Sequence, residues 1–278
     1  MELLDTIRPG MRRGHLLIAV GLAAAAAVTV GFLVVGGLGS DEVDFLPDLD
    51  QAAPGDLSGR DGGTPTARRF YLGFESAAGN VGGGPLAIEG SRTDQNEDEM
   101  RVVQQISGPD GATRSVRIDA TLRYVRSPDH AHWHLPGFMR YELRRANGEL
   151  VRPDRKTGFC LGDRYRVALP LERTPESAGF PDECGKDAPE LLRVRQGISV
   201  GYGDDYDAHV EGQEFDVTDL PAGRYLLVHR VNSDRMLEES DYRNNNASMS
   251  LRLGWPQRRS KSPRVTVLAR CPDTPTCP

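Results

Sequence analysis

The sequence predicts an all-β, sandwich-like domain behind one N-terminal transmembrane helix. Three observations predict it. Many short runs of strand-type residues are bounded by turn signals, no long segment beyond residue 40 has helical periodicity, and one uncharged apolar run is long enough to cross a bilayer.

That apolar run, "LLIAVGLAAAAAVTVGFLVV", occupies residues 16–35. Arg8, Arg12 and Arg13 precede it, and Asp41, Glu42 and Asp44 follow. The positive-inside rule makes residues 1–15 a cytoplasmic tail and 16–38 a signal anchor. The protein is then single-pass in the cell membrane, with its main domain extracellular. A cleaved secretory signal would make it secreted, but no clear A-x-A cleavage site follows the run. Residues 39–66, rich in Gly, Asp and Pro, read as a linker into a domain over 67–255, and 256–278 as a C-terminal tail.

Inside the domain the strand-type segments are "RRFYLGFES", "MRVVQQISG", "TRSVRIDATLRYVRS", "GFMRYELRR", "GELVR", "QEFDVTD", "RYLLVHRVN" and "ASMSLRLG". "RVTVLA" follows in the tail. Asn147-Gly148 between two of them predicts a hairpin, and "LPAGRY" at 220–225 a second turn. Residues 170–195 read as a loop with room for a short helix. Four cysteines in an exported domain point to two disulfides. Proximity favours Cys160–Cys184 and Cys271–Cys277, and spacing alone leaves other pairings open. The net charge of -6 argues against a nucleic-acid partner.

The chemistry concentrates in "HAHWH", where three of the six histidines, His130, His132 and His134, stand at alternate positions. On a strand they share one face, and neutral imidazoles suit copper, zinc, iron or nickel. A straight strand would separate the outer two by about 13 Å. Either the strand bends, or two histidines bind and another group such as His209 completes the set. The bland alternative is a solvated polar strand face. Lysine is rare here: of 34 basic residues only Lys156, Lys186 and Lys261 are lysines. A lysine kept amid such a bias is a candidate for amine chemistry that arginine cannot perform.

These residues resemble the catalytic domain of the lysyl oxidase family, whose copper motif has the form H-x-H-x-H with an aromatic in the second spacer, as Trp133 is here. "GFCLGD" at 158–163 is similar to the family's "SFCLED", with Lys156 three residues before Phe159 as the family's cofactor lysine stands. "QGISVGYGDDYDAHV" at 196–210 is similar to "QGLSPGCYDTYGADI", which puts Tyr206 at the cofactor tyrosine. "FDVTDLPAGRYLL", "LEESDYRNN" and "FLPDL" fit as well, so the resemblance runs over residues 45–253. The chain departs from the animal enzymes in having fewer cysteines, in Asp129 where they have cysteine, and in a longer loop between Lys156 and Tyr206.

The resemblance implies copper on His130, His132 and His134, and a lysine tyrosylquinone built from Lys156 and Tyr206. It implies oxidation of primary amines, whether peptidyl lysine or small amines, to aldehydes, with dioxygen consumed and hydrogen peroxide and ammonia released. Asp204 is the candidate base, and Tyr202 is a nearby competitor for the tyrosine role. Two other readings remain open at this point: a non-catalytic extracellular metal-binding β-sandwich, and a hydrolase using metal-activated water. The residues alone do not separate copper from zinc.

Overall fold

The computed structural model describes residues 44–127, 131–154, 156, 158–256 and 261–278. The expected cytoplasmic tail, the transmembrane anchor and His130 lie outside them. Every regular element among the described residues is a β-strand, and every ladder is antiparallel.

Four sheets surround one apolar core. The first pairs β1 (Leu49–Gln51), β4 (Ser76–Asn80), β13 (Tyr202–Tyr206) and β11 (Tyr165–Arg166) in that order. The second, from one edge to the other, is β12 (Arg193–Ile198), β5 (Leu86–Ser91), β6 (Glu99–Ser107), β7 (Thr113–Arg126) and β8 (Ala131–His134). The third runs β10 (Leu150–Pro153), β9 (Met139–Arg145), β15 (Gly223–Val231), β16 (Asn246–Gly254) and β17 (Arg264–Cys271). A smaller sheet joins β14 (Glu214–Asp216), β3 (Ala67–Phe74) and β2 (Leu57–Thr64).

Side-chain period decides which face each strand buries. β6 alternates strictly, with Met100, Val102, Gln104 and Ile106 inward. β15 and β16 lie inside their sheet and are covered on both faces, so their burial is almost continuous, although the second face of β16 carries Ser248 and Ser250. The predicted hairpin closes between β9 and β10, where Gly148 has φ of 87° and its amide returns to Arg145 O at 2.9 Å.

Three expectations need correction. The linker over 39–66 is built into the fold from residue 44 on: Leu49 and Gln51 are fully buried, and Gln51 N donates to Asn244 O at 3.0 Å. The C-terminal tail supplies β17, paired along β16 and closed by Cys271–Cys277. The 170–195 loop carries no helix. It is pinned instead by Cys160–Cys184 and by the Asp163 carboxylate, which accepts from the amides of Gly179, Phe180 and Ser199.

One buried group loads the fold against acid. His229 on β15 is fully buried between the rings of Phe74 and Tyr141, with centroids 5.1 and 4.6 Å away, and neither ring nitrogen has a hydrogen-bond partner among the described residues. Burial alone lowers its pKa from 6.5 to about 3. The unfolded chain therefore takes up a proton below pH 6.5 that the folded chain refuses, and stability is lost as pH falls from 6.5 toward 3. Between pH 6.5 and 5 this residue should remove about 2 kcal/mol. Urea denaturation of His229→Leu should show that much less acid sensitivity. Equal slopes in the two proteins would reject the assignment.

Candidate active site

The site begins with β8, where alternation sends Trp133 into the core and leaves His132 and His134 on the opposite face. Their ring centroids are 4.7 Å apart. One edge of β8 pairs with β7, matching Arg123 to His134. The other edge is stitched to three separate segments. Trp133 N donates to Cys184 O at 2.9 Å, Leu135 and Phe159 exchange both amide bonds, and Gln196 Nε2 donates to Trp133 O at 2.7 Å. Gln196 also accepts from Leu161 N at 3.2 Å, so this fully buried amide ties the histidine strand to the segment after Lys156.

Gly158 lets that segment come close. Its φ is +149°, and a Cβ there would stand 2.8 Å from the Cβ of His134. Any other residue would have to push the Lys156 segment away from the histidines.

Lys156, carried on this segment, places Nζ 4.4 Å from the centroid of the Tyr206 ring and 5.4 Å from that of Phe159. The amine also makes a long contact of 3.4 Å to Glu211 O. Burial lowers its pKa to about 8, against the opposing pull of Asp204. Near-neutral solution therefore holds a real fraction of free amine, and the ring beside it is where that amine points.

Tyr206 is buried at the end of β13, and its hydroxyl lies 2.9 Å from Cys160 O and 3.0 Å from Asp204 Oδ2. One hydroxyl proton cannot serve two acceptors at once. With Asp204 ionised, the phenol donates to the carboxylate. With Asp204 protonated, the carboxyl donates to the phenol oxygen and the phenol donates to Cys160 O. Tyr202 serves a different place, accepting from Arg166 Nε at 3.1 Å.

Asp204, the expected base, is fully buried and does not line the open cavity. Burial raises its pKa to about 8 while the Arg164 guanidinium opposes the shift. Arg164 Nε is 2.8 Å from Asp204 Oδ1 but off hydrogen-bond alignment, so the attraction is between charges. Burial and the neighbouring Asp204 push the Tyr206 phenol well above its ordinary value.

A cavity of about 610 Å³ opens over these groups, lined by His132, His134, Arg164, Tyr206, Asp207 and His209 among others. Tyr206, His132, His134 and His209 thus share one opening, and Lys156 reaches it through the Tyr206 ring rather than by lining it. No group of three His, Cys, Asp or Glu donors converges among the described residues, and His130 lies outside them. The imidazole pair is a donor set that suits a borderline transition metal such as copper, and the amine beside the phenol ring suits a cross-linked cofactor. Arg164 and Gln196 escaped the sequence reading, because nothing local distinguishes them from other Arg and Gln residues.

The lysyl oxidase family model matches residues 118–259. The chain belongs to the lysyl oxidase family. Similar proteins include lysyl oxidase homolog 2 of Gallus gallus, 34% identical over 117 residues, and that of Homo sapiens, 33% over 117. Lysyl oxidase homolog 3B of Danio rerio is 32% identical over 121 residues. Each match covers 42% of this chain and 13% of the relative, so the chain spans a small part of the length of these lysyl oxidase homologs.

Proposed function

We propose that this protein is a copper-dependent amine oxidase acting outside the cell, in which His130, His132 and His134 hold the metal and Lys156 and Tyr206 form lysine tyrosylquinone. The observation that carries the reading is the Lys156 amine 4.4 Å from the ring of Tyr206, the residue that lines one cavity together with His132 and His134. When bound, copper supplies the dioxygen chemistry that oxidises the ring, and the quinone supplies the carbonyl that condenses with an amine. Overall, a primary amine, dioxygen and water become an aldehyde, ammonia and hydrogen peroxide.

The chain's own residues prepare and exploit that chemistry. Burial makes Lys156 a usable nucleophile, Cys160 O and Asp204 hold the Tyr206 hydroxyl, and the cavity admits the substrate amine. Asp204 handles the hydroxyl proton. Asp207 and His209, which face the opening, are placed to take a proton from the substrate's α-carbon. Substrates are primary amines, free or on protein lysines. Localisation follows from the charge flanks of residues 16–35 and from the disulfides, which persist in oxidising surroundings. We place the sandwich-like catalytic domain on the outer side of a single membrane anchor.

The test is peroxide release from lysine-containing peptides by the copper-loaded chain, with redox staining for the quinone. Chelating copper before loading should remove both signals. Cofactor formation should accelerate with pH up to a midpoint at or below about 8, because only neutral Lys156 adds to the ring and a bound cation disfavours the ammonium further. A non-catalytic metal-binding domain would take up copper with neither signal.

A further inference from the structure

Tyr206 is flanked by two cations, and only one of them has a place in the cofactor. Lys156 Nζ lies 4.4 Å from the ring centroid, and the Arg164 guanidinium carbon lies 5.0 Å from it. The Arg164 main chain is fixed to the strand that carries the tyrosine, because its amide donates to Gly203 O at 2.9 Å. Its side chain reaches along that strand to Asp204 Oδ1 at 2.8 Å, and the other oxygen of Asp204 meets the Tyr206 hydroxyl at 3.0 Å. A second contact, to Asp182 at 3.7 Å, ends on a half-exposed carboxylate and is the weaker of the two. Asp204 is fully enclosed, while Arg164 lines the cavity. Among the described residues the guanidinium is therefore the one group that touches the buried carboxylate, the ring and the open site together.

We propose that Arg164 is a positioning residue for cofactor formation: through Asp204 it fixes the Tyr206 hydroxyl, holding the ring in place beneath the Lys156 amine, and it balances negative charge developing on the phenol oxygen. This rests on reading Lys156 and Tyr206 as the cofactor pair. The charge is placed before reaction, and such preorganised charge is most effective in an enclosed site.

The experiment uses the full chain in detergent, purified without copper and then loaded with Cu(II) in air. Quinone is followed by the absorbance of its phenylhydrazine adduct per bound copper. Arg164→Met should bind copper as the wild type does and form quinone on the order of 100-fold more slowly. Its pH profile should also move, since Asp204 loses its counter-charge. Arg164→Lys keeps the charge and should recover to within about tenfold of wild type. A merely structural role would lower the folded yield without changing the rate per copper-loaded molecule. Wild-type rate and pH profile in Arg164→Met would overturn the inference alone. A wild type that binds copper and makes no quinone would overturn the functional reading and this inference with it.

Discussion

Lys156→Arg is expected to abolish quinone formation and amine oxidation together, while copper content and melting temperature stay close to wild type. The nucleophile must be a neutral nitrogen, and at pH 8 on the order of one guanidinium in 10⁵ is neutral. Lys156 differs because burial brings its pKa to about 8, so near half of the amine is free at that pH. Arginine keeps the positive charge over the Tyr206 ring, so the cation–ring attraction survives and the packing change is small. His132 and His134 stand on β8, apart from the segment that carries Lys156, which is why copper uptake should not follow the loss. Visible absorbance, redox staining and metal analysis on the same sample decide the matter. Quinone absorbance in Lys156→Arg would remove Lys156 from the cofactor.

How much of this was legible in the sequence depends on the range of the interactions involved. Strands with their own alternating or continuous apolar runs, such as 99–107 and 223–231, declared themselves, as did the Asn147-Gly148 turn. Local signals end there. β1 hides in a stretch rich in Gly, Asp and Pro, because what makes it a strand is distant: Leu49 N donates to Glu239 Oε2 at 2.6 Å and Gln51 N to Asn244 O at 3.0 Å. The site divides the same way. Period two put His132 and His134 on one face, and the motif order brought Lys156 to Tyr206 across 50 positions. Nothing in "GDDY" says that Asp204 is enclosed while Asp205 is only half-buried; pairing of β13 with β4 decides that. Nor could Arg164 be picked from an arginine-rich chain, since its role exists only when two segments meet.

The same alternation that turns His132 and His134 to the face opposite the core makes Trp133 the residue whose loss should cost the fold most. It is fully buried, its indole Nε1 donates to Ala188 O at 3.2 Å, and the Arg92 guanidinium stacks 4.7 Å from its ring. Arg92 is in turn held by carbonyls on both sides, including Leu191 O at 2.9 Å and Glu97 O at 2.6 Å, so the indole sits in a rigid socket that cannot collapse. Trp133→Ala should therefore lie in the range of about 3–5 kcal/mol for large aromatic deletions. The effect reaches the site because β8 is only four residues long. With its one large side-chain anchor gone, only the hydrogen bonds to β7, Cys184, Phe159 and Gln196 resist a one-residue slip, which would turn His132 and His134 toward the core. Copper affinity should fall along with stability in Trp133→Ala. Trp133→Phe keeps most of the apolar anchor and loses the indole bond, so it should cost about 1–2 kcal/mol and leave copper affinity near wild type. Denaturant titration and copper titration on the folded fraction measure the two effects separately. An unchanged copper affinity in Trp133→Ala would mean that the backbone bonds to Cys184, Phe159 and Gln196 hold the histidine face without the tryptophan.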